Sequence, residues 1–284
     1  MAFRPCSEGA TLSPSNRLTN VRAPDKLLIG VIHLPPLPGS PGYRGAAVDA
    51  FIERARQDAD AILKAGWHGY VLENFGDAPF YKDRVPPHVV SFLTRIAAEL
   101  PGAETIRGIN VLRNDPQSAL AVAAAAGFDF VRVNVHVGAM VTDQGIIEGR
   151  AAETIREREL WAPSVAIAAD VAVKHAYPLG DGYDLNEAAK ETVYRGMADA
   201  LIVTGKGTGV PIERSDLTTV RRAVPDRPLL VGSGVTPESL ADILQEADGV
   251  IVGTAIKKGG NVLEPVDPDR AILFARTATT SSKK

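Results

Sequence analysis

One cysteine, Cys6, stands in the 284 residues, which excludes an intramolecular disulfide framework and a Cys-based zinc site. Such sparing use suits a reducing compartment, and a cytoplasmic location is expected. No apolar run approaches the ~18 residues that a membrane span needs, so stable membrane insertion is not expected. Neither sign of charge is in excess. With 31 Lys and Arg against 34 Asp and Glu, the net charge of -3 offers no broad cationic field for nucleic acid or anionic lipid. An anionic ligand must be held locally. GK[ST] Walker loops, GxGxxG, HExxH and DxDxDG are also missing, so neither a P-loop nor a dedicated metal site has support.

What is present is the composition of a packed chain, 45% hydrophobic and 23% charged. Residues 1–26 mix proline with Ser, Thr, Asn and Arg without periodicity and predict a loosely ordered leader. Its arginines leave a transit-peptide reading open, while Glu8 and the lack of an amphipathic pattern favour a ragged terminus. Residues 279–284 read as a flexible tail. Between them, over 27–278, eight short β-branched runs at 27–32, 69–73, 105–111, 129–135, 165–170, 200–204, 228–232 and 249–253 alternate with segments of helical period. Asp115-Pro116, Thr236-Pro237 and Asp267-Pro268 mark helix starts. Eight βα units without a composition break predict one α/β domain, a single (β/α)8 TIM barrel, with an open doubly wound sheet as the alternative. In a barrel the residues that follow each strand converge on one face.

Those exits carry the candidates. After the first strand, HLPPLPGSPGYRG begins with His33 and pins a loop with four prolines and three glycines. His33 is either a base or hydrogen-bond donor at the mouth, or a structural histidine beside a rigid turn. The second exit carries Glu73 and Asn74, the third strand Asn110, and the fourth Arg132 and Asn134 on one face, with His136 extending that row to the mouth. Arg132 either pairs with Glu73 or Asp170 inside the barrel or touches substrate. The segment GAMVTDQGIIEGRA reads as a lid with Asp143 as a ligand contact. The fifth unit adds Asp170, Lys174 and His175. Asp170, Glu73, Lys174 and His33 form an acid–base set, with an inert ion-pair network as the competing reading. Asn74, Asn110, Arg132, Asn134, His136, Asp143 and His175 are the expected substrate contacts. Glu73 and Asp170 would also serve a Mg²⁺ ion held together with substrate phosphates.

The last three exits are glycine-rich. Gly205 follows the sixth strand, Gly232-Ser233-Gly234 the seventh, and Gly253-Thr254 the eighth, the place where many barrels hold phosphate on backbone N–H groups. These six residues are the candidate phosphate site, against the plainer reading that glycines only make tight turns.

The segments IGVIHLPPLPGSP, GINVLRND, RVNVHVGAMVTDQGIIEG, DVAVKHAYPL, ALIVTGKGTG, VGSGVTPESL and ADGVIVGTAIKKGG together resemble the BtpA (SgcQ-like) family of predicted TIM-barrel proteins. The resemblance covers almost all of the chain beyond residue 26. It implies a barrel of the ribulose-phosphate-binding type and, for a cyanobacterial member, a part in photosystem I biogenesis. Elsewhere it implies an enzyme without an agreed substrate. Two functions follow. One is an enzyme acting on a phosphorylated sugar or nucleotide-like molecule by isomerisation, lyase chemistry or glycosidic-bond hydrolysis. The other is a non-catalytic assembly or stability factor. A homo-oligomer is expected on the precedent of barrels of this size.

Overall fold

The computed structural model describes residues 16–20, 26–172, 176–180, 182–205 and 212–281. Eight parallel strands form a closed barrel: β1 (Leu27–His33), β2 (Gly69–Glu73), β3 (Ile106–Asn110), β4 (Phe130–Val133), then, beyond two hairpin strands, β7 (Ala166–Ala172), β9 (Ala200–Val203), β10 (Leu229–Val231) and β11 (Gly249–Val252). They pair in that order, and β11 closes against β1. The expected (β/α)8 barrel is what forms.

Helices α1 (Val48–Lys64), α2 (Pro87–Ala97), α3 (Pro116–Ala126), α4 (Ala151–Trp161), α5 (Leu185–Lys190), α6 (Arg214–Ala223), α7 (Pro237–Glu246) and α8 (Pro268–Ser281) cover the outside. The proline starts act as read. Asp115 caps α3 by accepting the Ser118 N–H, Thr236 and Ser239 form a reciprocal capping box on α7, and Asp267 Oδ1 accepts from the N–H groups of Asp269 and Arg270. α5 runs on into a π-helical turn, Glu191–Arg195.

Strand alternation sorts the side chains. Leu28, Ile32, Tyr70, Leu72, Val131 and Val133 pack outward beneath the helices, while Leu27, Ile29, Val31, Val71, Ile106, Phe130, Ala168 and Ile251 fill the barrel. Continuing the inward row by one step brings polar groups into line on successive strands: His33, Glu73, Asn110, Arg132 and Asp170. A polar layer therefore lies directly above an apolar plug.

Two parts depart from the expectation. Part of the predicted leader, residues 16–20, closes the opposite end of the barrel. Leu18 is fully buried in the interior cluster, and Asn16 Nδ2 donates to the carbonyls of Asp129 and Ser164. Arg17 pairs with Asp129 at 3.1 Å. A lone apolar residue in a polar stretch shows no periodicity, so its burial left no pattern to read. The connection after β4 also carries structure of its own. β5 (Ala139–Thr142) and β6 (Gly145–Glu148) form a hairpin, and β8 (Tyr177–Pro178) adds to β5 as a third antiparallel strand. Val135 packs with Met140 and Ile147 beneath this small sheet.

Candidate functional site

The polar layer is a connected ionic network at the C-terminal end of the barrel. Arg132 is buried at its centre. Its Nε and Nη2 donate to the two oxygens of Asp170 at 2.9 and 3.0 Å, a bidentate pair, and its Nη1 lies 3.5 Å from Glu73 Oε1. Asn134 Nδ2 also donates to Asp170, at 2.8 Å, and Asn110 Nδ2 donates to Glu73 Oε1 at 3.1 Å. His33 Nε2 is 3.7 Å from Glu73 Oε2, and its ring leans on Phe75 with centroids 4.7 Å apart. Burial alone would lower the pKa of Arg132, but the charge and hydrogen bonds of Asp170, with Glu73 beyond, outweigh it and hold the value above normal. The cation stays on. It stands between Glu73 and Asp170, the two carboxylates open to a Mg²⁺ ion held with substrate phosphates, and among the described residues no group of three potential metal-ligating side chains is found.

Asp170 and Glu73 differ in how fully they are used. Both oxygens of Asp170 accept strong bonds, and its side chain has no exposed surface. Glu73 has looser partners and lines two cavities. One, of about 580 Å³, lies over the ends of β10 and β11; the other, about 610 Å³, lies over β3 and β4 beneath the small sheet. They share Glu73, Phe75 and Arg132 and are two lobes of one cleft.

The first lobe contains Gly232, Ser233, Gly234, Gly253 and Thr254. Two of these glycines have an immediate steric reason. A Cβ on Gly253 would stand 2.7 Å from His33 Cε1, and one on Gly232 would stand 3.1 Å from Arg132 Nη2 and 2.6 Å from Ile202 Cγ2. They make room for the ionic layer. Gly234 is different: its φ of +69° is a left-handed conformation that L side chains rarely adopt. Gly205 does not line the lobe but donates its N–H to Ser233 Oγ at 3.0 Å, which orients that hydroxyl. Arg270, which the sequence reading passed over, also lines this lobe. Its Nε donates to Ala255 O, and no carboxylate among the described residues lies within ion-pair distance of it. Glu238 occupies the exposed side of the lobe.

The second lobe contains Asn110, Asn134 and Asp143 from the expected set, together with Phe80, Leu112, Arg113 and Tyr177. Burial draws the Arg113 guanidinium below its ordinary pKa, against the pull of Asp170, Asp143 and Glu73. Asp143 reaches the lobe from the hairpin tip, where Gln144 hydrogen-bonds to it.

Some expected contacts lie elsewhere. Asn74 is occupied by backbone and loop: Oδ1 accepts the Leu112 N–H at 2.7 Å and Nδ2 donates to Asp77 at 3.1 Å, tying the β2 exit to the β3 exit. His136 does not extend the polar row. The strand ends at Val133, alternation lapses, and the ring turns outward to bond Gly196 O at 2.7 Å, where burial pushes its pKa down to about 4. Lys174 and His175 lie outside the described residues. The missed contributors, Phe75, Phe80, Tyr177 and Arg270, come from exits and from the start of α8. Aromatic residues in polar mouth loops were the available signal for the first three, and a cation just after the Asp267 cap for the fourth.

Comparison with known proteins gives the same architecture. A native KDPGal structure superimposes with a TM-score of 0.51 at 14% identity, covering 90% of this chain and 93% of that one. Phosphoribosyl anthranilate isomerase from Thermus thermophilus gives 0.52 at 13% identity, covering 89% and 99%. At such identities the likeness is one of fold. Sequence relatives are much nearer. The photosystem I biogenesis protein BtpA of Synechocystis is 46% identical over 248 residues, 87% of this chain and 86% of that protein. An uncharacterised protein of Pyrococcus furiosus is 44% identical over 88% and 94% of the two chains. An uncharacterised mitochondrial protein of Caenorhabditis elegans is 33% identical over 93% and 96%. The BtpA family model matches residues 24–280, and this chain, a TIM barrel with an ionic layer at its mouth, belongs to the BtpA family.

Proposed function

We propose that the protein is an enzyme that acts on a phosphorylated sugar or nucleotide-like molecule by acid–base chemistry at the C-terminal end of the barrel. The observation that carries this reading is Glu73: a buried carboxylate, facing both lobes of a concave cleft, beside an imidazole at 3.7 Å and a fixed guanidinium at 3.5 Å. Burying so many ionisable groups in one mouth is costly to stability and is repaid where they perform chemistry. Glu73 and His33 are the proton-transfer pair in this proposal. Asp170 is a positioning residue: its bidentate hold keeps Arg132 beneath the reacting atoms. Lys174 and His175, on the connection that follows Asp170, remain part of the proposed set.

The first lobe takes the phosphate. Ser233 Oγ accepts from Gly205 and so keeps its hydroxyl hydrogen to donate, Thr254 supplies a second hydroxyl, and Arg270 supplies the charge. The test is a thermal-shift screen of sugar phosphates, nucleotides and nucleosides, with and without Mg²⁺. A ligand at 100 times its Kd adds ~2.7 kcal/mol to stability. A phosphorylated compound should raise Tm, and Arg270→Gln or Ser233→Ala should abolish the rise. A panel without any stabilising compound, or a hit indifferent to both substitutions, would overturn the proposal. The competing view is an assembly factor, suggested by the Synechocystis relative, a photosystem I biogenesis protein. It predicts a stoichiometric protein partner whose capture is unaffected by Glu73→Gln.

A further inference from the structure

The second lobe has a different chemistry from the first, and it says what the rest of the substrate is. Its wall is aromatic. Phe75 and Phe80 meet edge to face with centroids 6.4 Å apart, and Tyr177, an edge-strand residue that is 76% exposed, lines the same lobe. A Tyr left this open at the edge of an otherwise half-buried aromatic cluster is a surface that a flat ligand would cover. The lobe also holds an unpaired acceptor. Asn134 is 1% exposed, and its Nδ2 donates to a carboxylate oxygen of Asp170, which admits only a donor. That fixes the amide orientation. Oδ1 is then the free end, and it is buried without a hydrogen-bond partner among the described residues. An acceptor in that position calls for a ligand N–H.

We propose that this lobe binds a planar heterocycle bearing N–H donors, of the nucleobase type, stacked against Phe75, Phe80 and Tyr177 with an N–H directed to Asn134 Oδ1. This inference rests on the phosphate reading of the first lobe: the two together define a 5′-nucleotide, its sugar crossing Glu73 and Arg132, where the lobes meet. Each lobe lies within the size range of small-molecule pockets, and together they exceed what a simple sugar phosphate would fill.

The experiment is isothermal titration calorimetry on the full chain with the 5′-monophosphates of adenosine, guanosine, cytidine and uridine, the corresponding nucleosides, and ribose 5-phosphate. At least one nucleotide should bind ten-fold or more tightly than ribose 5-phosphate. Tyr177→Ala, at an exposed position that does not threaten folding, should remove at least five-fold of that advantage while leaving ribose 5-phosphate affinity unchanged, and Asn134→Ala, which also takes a hydrogen bond from Asp170, should weaken nucleotide binding at least five-fold more than ribose 5-phosphate binding. Equal affinity for ribose 5-phosphate and every nucleotide would overturn the base lobe and leave the phosphate lobe standing. An advantage that survives both substitutions would overturn it as well. Nucleosides binding as tightly as nucleotides, with ribose 5-phosphate silent, would support the base lobe and sink the phosphate reading. Absence of binding by every compound would overturn both.

Discussion

Asp170→Asn and Glu73→Gln each remove one negative charge from the same network, yet the geometry predicts opposite consequences. In the native protein Arg132 makes two short charge-assisted bonds to Asp170, at 2.9 and 3.0 Å, and a single marginal contact to Glu73 at 3.5 Å. Asparagine at 170 takes away the principal counter-charge of a buried guanidinium. Removing one partner of a buried ion pair typically costs ~3–5 kcal/mol. Glutamine at 73 leaves the bidentate pair intact and keeps an acceptor for Asn110, so the loss is that of one weak hydrogen bond, ~1 kcal/mol. At ~2–4 °C per kcal/mol, Asp170→Asn should lower Tm by roughly 6–20 °C, and Glu73→Gln by only a few degrees. Turnover of a substrate found in the ligand screen should show the reverse ranking at a temperature where both variants are folded. Loss of a general acid or base removes a factor of ~10²–10⁴, and Glu73→Gln should fall in that range. Urea titrations with unchanged m-values provide the stability difference independently of heating. The assignment of Asp170 to positioning and Glu73 to chemistry is refuted if Glu73→Gln is as destabilising as Asp170→Asn, or if it retains full turnover.

Leu18→Ala should cost ~2–3 kcal/mol, the low end for a buried leucine because water can enter from the barrel floor; a change below ~0.5 kcal/mol in urea unfolding would show that the plug is dispensable. Gly253→Ala puts a methyl 2.7 Å from the His33 ring and should cut ligand affinity or turnover by displacing the imidazole, with Tm affected far less; unaltered function would mean that His33 is not a participant. His136 has a folded-state pKa of about 4 against an ordinary 6.5, so the unfolded chain binds the extra proton between those values. Its contribution is fully present above pH 6.5 and is lost as pH falls toward 4, ~3 kcal/mol in all at 1.36 kcal/mol per pH unit. The His136→Gln variant should flatten that part of the stability–pH curve, and an imidazole NMR titration midpoint near 6.5 for His136 would contradict the reasoning.

Local physics determined much of this protein. Short β-branched runs alternating with proline-started helices specify eight βα units, and strand alternation alone puts Arg132 on the inward face, because side-chain direction follows chain position wherever the strand is regular. Glu73, Asn110 and Asp170 were legible for the same reason, as charges and amides at apolar strand ends. Where regular structure stops, that rule stops with it. His136 lies three residues past the end of β4 and turns outward, and Asn74 is consumed by a neighbouring loop that no local pattern reveals. Leu18 plugs the barrel from a stretch whose composition looks unstructured, since one side chain's burial depends on the cavity offered by distant strands. Tertiary structure alone decided the division of labour in the ionic layer. Which carboxylate Arg132 holds with two bonds and which it leaves facing the cleft depends on packing distances of a few tenths of an ångström, and those are set by the closure of the whole barrel.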